Sequence, residues 1–273
     1  MSATPPAPTS GPAGGDLVAE LTGVRGLLLD VDDTIVDTRA AMVAAGSVAL
    51  GVLWPERAEQ HRAMAQHYYD DPQRWFRRYA SGEVAFDAMR TGRIEEVAAA
   101  FGAAVPEAAL QRYAVAYDPA FRAAQRLFDD VPELLMAARR AGLPVGLLTN
   151  SALAPTTLKL EALDLVDAFD AVVTTDTLGF GKPDPRVYRE ACRLLGVAPE
   201  HVVCIGDSLE WDVLGARSAG LRAVWLDRPA PAGGAAGGAA DVARDADAAA
   251  AGVVSVHDLD AVTDVLARVD LGL

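Results

Sequence analysis

The sequence predicts an α/β protein: a doubly wound, Rossmann-like parallel sheet that carries an inserted helical domain. Three observations predict it. Five short apolar runs recur along the chain, each of a length that suits a strand buried on both faces. Helical patterns separate the later runs, and strand–helix alternation of this kind gives right-handed crossovers with helices on both sides of the sheet. One stretch, from about Ala40 to Arg126, breaks the alternation with helical periodicity, Ala-rich turns and no strand pattern.

Taken in order, Met1 to Gly15 is rich in Pro, Ala, Ser and Gly, with neither a basic start nor an apolar h-region. It is not a signal peptide, and residues 1–20 are assigned to a disordered tail. The first strand, Val24 to Leu29, opens a core that comprises residues 21–39 and 127–273; residues 40–126 form the helical insertion. A helix over Val131 to Arg140 stops at Gly142. Strands at Val145 to Leu148, Ala171 to Val173, Val202 to Ile205 and Ala223 to Leu226 then alternate with helices at Ala154 to Leu165, Pro185 to Leu195 and Leu209 to Ala219. Gly196 and Gly220 stand where helix C-caps belong. Pro229 to Gly252 is Gly and Ala rich, which reads as a flexible surface loop before a short final strand and helix.

Bulk properties narrow the function classes. With 273 residues, 51% hydrophobic and 23% charged, the composition is that of a soluble globular protein. The net charge of -14 excludes a nucleic-acid backbone as partner, because such binding depends on Lys and Arg neutralising phosphates. Acidic and basic residues balance in the insertion, so that part is the more hospitable to an anion. No apolar run reaches the ~18 residues of a membrane span. Two cysteines, Cys192 and Cys204, without a C-x-x-C spacing fit reduced packing residues and a cytoplasmic protein. The sequence leaves monomer and homodimer equally open.

Chemistry concentrates at the strand ends, where ligands bind in such sheets. The first strand runs into Asp30-Val31-Asp32-Asp33-Thr34. Three carboxylates so close raise one another's proton affinity unless a cation lies between them, and magnesium, a hard oxygen-seeking ion, fits better than zinc. Alone, the motif could be an acidic turn or a helix N-cap. The second strand, however, ends at Thr149-Asn150-Ser151, the third leads into Gly181-Lys182-Pro183, and the fourth ends in Gly206-Asp207-Ser208. Together these supply carboxylates for a metal, a hydroxyl and N–H groups for phosphoryl oxygens, and a cation for a transferring group. Only two of the 24 basic residues are lysines, Lys159 and Lys182. A lysine where a compact charge faces phosphate and aspartate points to a task that arginine's planar fork would not serve equally well.

In order and spacing, Asp30-x-Asp32-x-Thr34, Thr149, Lys182 and Gly206-Asp207-x-x-x-x-Asp212 resemble the four motifs of the haloacid dehalogenase superfamily, from about Val24 to Leu226. The insertion after the first motif looks like that superfamily's type 1 helical cap, and Trp75 to Arg90 is similar to caps of its small-molecule phosphatases. The resemblance implies a Mg2+-dependent phosphatase acting on a small phosphomonoester such as a sugar phosphate or nucleotide. It implies Asp30 as nucleophile, forming an aspartyl-phosphate, and Asp32 as general acid and base. It further implies metal ligation by Asp30, the Asp32 carbonyl and Asp207. Thr149, Asn150 and Lys182 would bind the phosphate, Asp212 would support the metal or Lys182, and Thr34 would be a supporting hydrogen bonder. Asp33 departs from the Gly often found there; its carboxylate is expected to face solvent or cap a turn.

Competing readings differ in named residues. Dehalogenases of the superfamily lack the second aspartate, so Asp32 argues against them. Phosphonate cleavage uses a cap lysine, and residues 40–126 contain none. A phosphomutase with the same cap remains the enzymatic alternative. A phospho-accepting receiver domain would have about half this length, and a non-catalytic binding protein would have lost a motif carboxylate. Arg74, Arg77 and Arg78 are expected to share a solvated helical face, and His61, His67, His201 and His257 have no metal-ligand spacing.

Overall fold

The computed structural model describes residues 16–229 and 252–268; the tail expected at residues 1–15 and the Gly/Ala-rich loop at 230–251 lie outside them. Residues 17–20, which the sequence assigns to the tail, instead form helix α1 (Leu17–Leu21) together with Leu21 of the core. The Asp16 side chain caps its N-terminus and Leu21 is buried against the core.

Six parallel strands form one sheet in the order β3-β2-β1-β4-β5-β6. They are β1 (Gly26–Leu29), β2 (Val145–Leu148), β3 (Ala171–Val173), β4 (Val202–Gly206), β5 (Arg222–Leu226) and β6 (Val254–Val256). Alternate side chains divide the interior in two, as the two-residue period of a strand requires. Leu27, Leu29, Leu147, Ile205 and Val224 face α7 (Val131–Arg140) and the last helix, Asp260–Leu266. Leu28, Leu148, Cys204 and Trp225 face α10 (Pro185–Leu195) and the segment that follows β4. Each fully buried leucine contributes about 1.5–3 kcal/mol by leaving water. Gly196 and Gly220 adopt positive φ at the ends of their helices.

Between β1 and α7 the chain forms α2 (Thr38–Leu53), α3 (His61–Asp70), α4 (Trp75–Ala80), α5 (Phe86–Ala100) and α6 (Ala109–Ala123), with a 3-10 turn at Pro55–Gln60. These helices enclose their own apolar cluster around Leu50, Met64, Ile94, Val97 and Tyr113, separate from both cores of the sheet. Rings of Tyr68, Tyr113, Tyr117 and Phe121 stack in series at 5.1–5.3 Å. The helical layer therefore has cohesion of its own and sits over the carboxyl edge of the sheet.

Two details differ from the sequence reading. The helix expected over Leu209 to Ala219 begins as a π-helical stretch, Leu209–Leu214, and becomes α-helical only at α11 (Gly215–Ser218). Gly215 lies so close to Tyr188 that a Cβ there would meet the phenol oxygen at 2.1 Å. The three arginines do not share a face: Arg74 precedes α4 in a left-handed conformation, Arg77 pairs with Glu210 of the core, and Arg78 lies over the Trp75 ring and pairs with Glu83. The Arg77–Glu210 pair and the contact of Phe76 with Trp211, 6.3 Å between centroids, join the helical layer to the loop after β4.

Candidate active site

The site forms where β1 and β4 lie side by side, with β2 on the far side of β1. Asp30 is the first residue past β1, and its N–H still donates to Ile205 O at 3.0 Å, so its side chain leaves the sheet at a fixed angle. The chain then turns sharply: Asp33 has φ 60°, and the N–H groups of Ile35 and Val36 both return to Val31 O. Asp tolerates this left-handed conformation better than most residues. The Asp33 carboxylate caps the turn by accepting from Arg39 N at 2.7 Å, and it also accepts the hydroxyl of Tyr69, from α3 of the helical layer.

Lys182 arrives from the loop after β3 and is buried between two carboxylates, donating to Asp30 Oδ1 and Asp212 Oδ1 at 2.6 Å each. Burial would push its ammonium toward the neutral form, but Asp212 and Asp30 outweigh it and hold the amine protonated far above its ordinary range. The other oxygen of Asp212 accepts Ser208 N at 2.9 Å. A Cβ on Gly206 would lie 2.3 Å from the Asp212 carboxyl, so only glycine lets that side chain close on the lysine. Asp212 thus pairs with Lys182 while its carboxylate also stands beside those of Asp30 and Asp207.

The Asn150 side chain holds the loop that carries Lys182. Its amide Nδ2 donates to Lys182 O at 3.1 Å and its Oδ1 accepts Lys182 N at 2.6 Å, so the side chain clamps the lysine loop. A peptide unit offers one donor and one acceptor, and a carboxamide satisfies both at once. Thr149 is buried and its Oγ1 accepts Ser151 N at 3.1 Å. Thr34, also buried, accepts Asp207 N at 3.1 Å through its hydroxyl and so fixes the loop that carries Asp207. The Asp207 carboxylate has no hydrogen-bond donor among the described residues.

Carboxylate oxygens of Asp30, Asp207 and Asp212 come within 4.8 Å of one another. Burial, opposed by Lys182 and reinforced by Asp212 and Asp32, pushes Asp30 up to about 7. Burial and the charges of Asp30 and Asp212 push Asp207 well above the usual carboxylate range. One lysine does not balance three acids. A divalent cation between Asp30 and Asp207 would relieve the excess, and the donor set, all oxygen, suits a hard ion. The sign of the pH effect follows. Raised carboxylates hold protons in the folded protein, so metal-free stability falls as pH rises from the ordinary carboxylate range to about 7. Metal binding must displace those protons. Affinity for a divalent cation such as Mg2+, measured by titration calorimetry, is expected to tighten as pH rises from 5 to 7, about tenfold per pH unit for each proton displaced. An affinity unchanged from pH 5 to 8 would remove the carboxylates from the metal site.

Asp32, two residues on, behaves in the opposite way. Burial alone would raise it, but the charge of Lys159 and hydrogen bonds from Lys159, Thr38 and Ser151 hold it below the ordinary range. None of these three partners was singled out by the motif reading. Only the scarcity of lysine pointed toward Lys159.

A doubly wound parallel sheet with clustered carboxylates and a buried lysine at its carboxyl edge, under a helical layer, defines a class of enzyme core that handles charged groups in transfer or hydrolysis. The chain belongs to the haloacid dehalogenase-like hydrolases, whose family pattern it matches over residues 24–220. It is 44% identical to a phosphoserine phosphatase of Thermus thermophilus over 102 residues, 37% of this chain but only 41% of that protein, less than half its length. It is 30% identical to a glyceraldehyde 3-phosphate phosphatase of Methanopyrus kandleri over 206 residues, 75% of this chain and 84% of that protein. The crystal structure of an L-2-haloacid dehalogenase superposes with a TM-score of 0.60 at 26% identity, covering 90% of this chain and 99% of that one. None of the described helices is long and apolar enough to cross a membrane.

Proposed function

We propose that this protein is a Mg2+-dependent phosphatase that hydrolyses a small phosphomonoester through a phosphorylated Asp30. The observation that carries the reading is the pairing of Asp30 with Lys182 at 2.6 Å beside an Asp207 carboxylate that accepts no hydrogen bond among the described residues. Asp30 is held by one oxygen at the mouth of the sheet, ready to attack in line, while the lysine offsets its charge. Bound through Asp30, Asp207 and the Asp32 carbonyl, Mg2+ would screen the repulsion between carboxylate and phosphate and orient the attack. Thr149 Oγ1, which accepts Ser151 N, keeps its own proton for a phosphoryl oxygen. Lys182 would neutralise charge on the phosphoryl group as it transfers.

Asp32 separates ester chemistry from the halide chemistry of the dehalogenase neighbour. A halide leaves as a stable anion, whereas an alkoxide needs a proton as its bond to phosphorus breaks. Asp32, on the next outward position of the same loop, would give that proton and then take one from the attacking water. The phosphatase names of the two relatives support the substrate class, a small phosphorylated metabolite. A phosphomutase would differ only in handing the phosphoryl group to a second hydroxyl instead of water.

The test is hydrolysis of an aryl phosphate and a panel of sugar phosphates, nucleotides and phosphorylated acids, in EDTA and after Mg2+ is restored. Activity is expected only with the metal, and Asp32→Asn is expected to lose about 10²–10⁴-fold on alkyl esters. Full turnover in EDTA, or an unimpaired Asp32→Asn, would sink the reading.

A further inference from the structure

The chain's two lysines take the two carboxylates of Asp30-Val31-Asp32, one each: Lys182 on Asp30 and Lys159 on Asp32. Lys159 lies on α8 (Leu153–Ala162), the helix that follows β2, and its ammonium is ion-paired with Asp32 Oδ1. Its side chain is 7% exposed against 31% for Asp32, so the lysine approaches from the interior and leaves the aspartate's other side open. The Phe121 ring of α6 closes over the amine, 5.8 Å from Nζ to centroid. Thr38 Oγ1 donates to the same oxygen, Oδ1, at 2.6 Å. Among the described residues Oδ2 accepts only from Ser151 Oγ, at 3.2 Å.

The two oxygens of Asp32 are thus unequal, and we propose that Lys159 is a positioning residue that anchors Oδ1 so that Oδ2 is the atom that moves the leaving group's proton. The inference rests on the reading of Asp32 as general acid and base. Ion-paired with Lys159, Asp32 starts as a carboxylate, so in the first half-reaction Oδ2 takes a proton carried in on the phosphate group and passes it to the ester oxygen as the ester oxygen–phosphorus bond breaks and the Asp30–phosphorus bond forms. In the second, water attacks phosphorus, gives one proton to Oδ2 and releases Asp30; that proton leaves with the phosphate, so that alcohol and dihydrogen phosphate depart and Asp32 is a carboxylate again. A carboxylate fixed at one oxygen by a buried point charge cannot rotate about its Cβ–Cγ bond, and sub-ångström placement governs proton transfer.

A lysine that only kept Asp32 charged would, once removed, move the pH optimum for the alkyl ester and leave the maximum near wild type. A lysine that aims Oδ2 lowers that maximum, and only for substrates whose leaving group needs a proton. The experiment compares kcat/KM, which reports steps through leaving-group departure, for an alkyl phosphate and for p-nitrophenyl phosphate, in wild type, Lys159→Met, Asp32→Asn and the double variant, all with saturating Mg2+ and each at its own pH optimum. Lys159→Met is expected to lose about 100-fold on the alkyl ester and less than about fivefold on the aryl ester, the scale of a misplaced catalytic group. In the Asp32→Asn background it should add nothing, because the partner through which it acts is gone. Equal losses on both esters, or additive losses in the double variant, overturn the proposal. If Asp32→Asn itself shows no leaving-group discrimination, the parent reading of Asp32 fails instead. Lys159→Gln, which keeps a polar donor in the same space, gives the same comparison should the Met variant not fold, and it is expected to fall between wild type and Lys159→Met on the alkyl ester alone.

Discussion

Asp30→Asn is expected to abolish turnover, by about 10⁴-fold or more in kcat, the scale reached when a covalent nucleophile is removed. It should do so without unfolding the protein. Asn is isosteric, Lys182 keeps Asp212 as a partner, and the substitution removes one charge from a cluster with too many acids. The folded protein pushes Asp30 up to about 7, so its charge costs stability at higher pH. The neutral variant in EDTA at pH 8 is therefore expected to melt no lower than wild type. Rapid acid quench with phosphate-labelled substrate should leave label on wild type and none on the variant. Residual activity above about one per cent of wild type would remove Asp30 from the nucleophile's place, since loss of such a group leaves far less.

Lys182→Met should fail in both activity and stability. The ammonium is buried and serves Asp30 and Asp212, themselves buried. Removing one partner of a buried pair leaves uncompensated charge, at a cost of about 3–5 kcal/mol. Neighbouring carboxylates escape that cost by taking up protons, so the loss in metal-free protein should be larger at pH 8 than at pH 5.5, as urea unfolding at the two values would show. Mg2+ should recover part of the stability, because it supplies positive charge to the same oxygens, but little of the activity. A loss below about 1 kcal/mol at pH 8, the scale of an exposed ion pair, would mean that the lysine is not the cluster's counter-charge.

The two cases differ in how visible they were beforehand. Asp30, Asp32, Lys182 and Asp207 could all be named from strand ends, because a buried parallel strand writes itself as an apolar run and the residue after it must emerge at the carboxyl edge. The Asn150 carboxamide holds both polar groups of Lys182, N–H and C=O, a pairing across 32 residues that no local pattern encodes. Asp33 was left between solvent and a turn cap, and the structure makes it a cap that also receives Tyr69 from the helical layer. Lys159 was noticed only as one of two lysines. Its partner lies 127 residues away, and the helix register that aims it at Asp32 depends on how α8 packs against α6.

The sequence by itself determined the class of fold and the carboxylates, hydroxyls and lysine that its strand ends present, because strand burial and chain direction are local properties of residue order. Only the tertiary structure decided which charge answers which: Lys182 to Asp30 and Asp212, Lys159 to Asp32, Arg77 to Glu210. Those pairings are set by distances of a few ångströms between segments far apart in the chain. Coulomb energy at that range depends on burial and separation, neither of which residue order states.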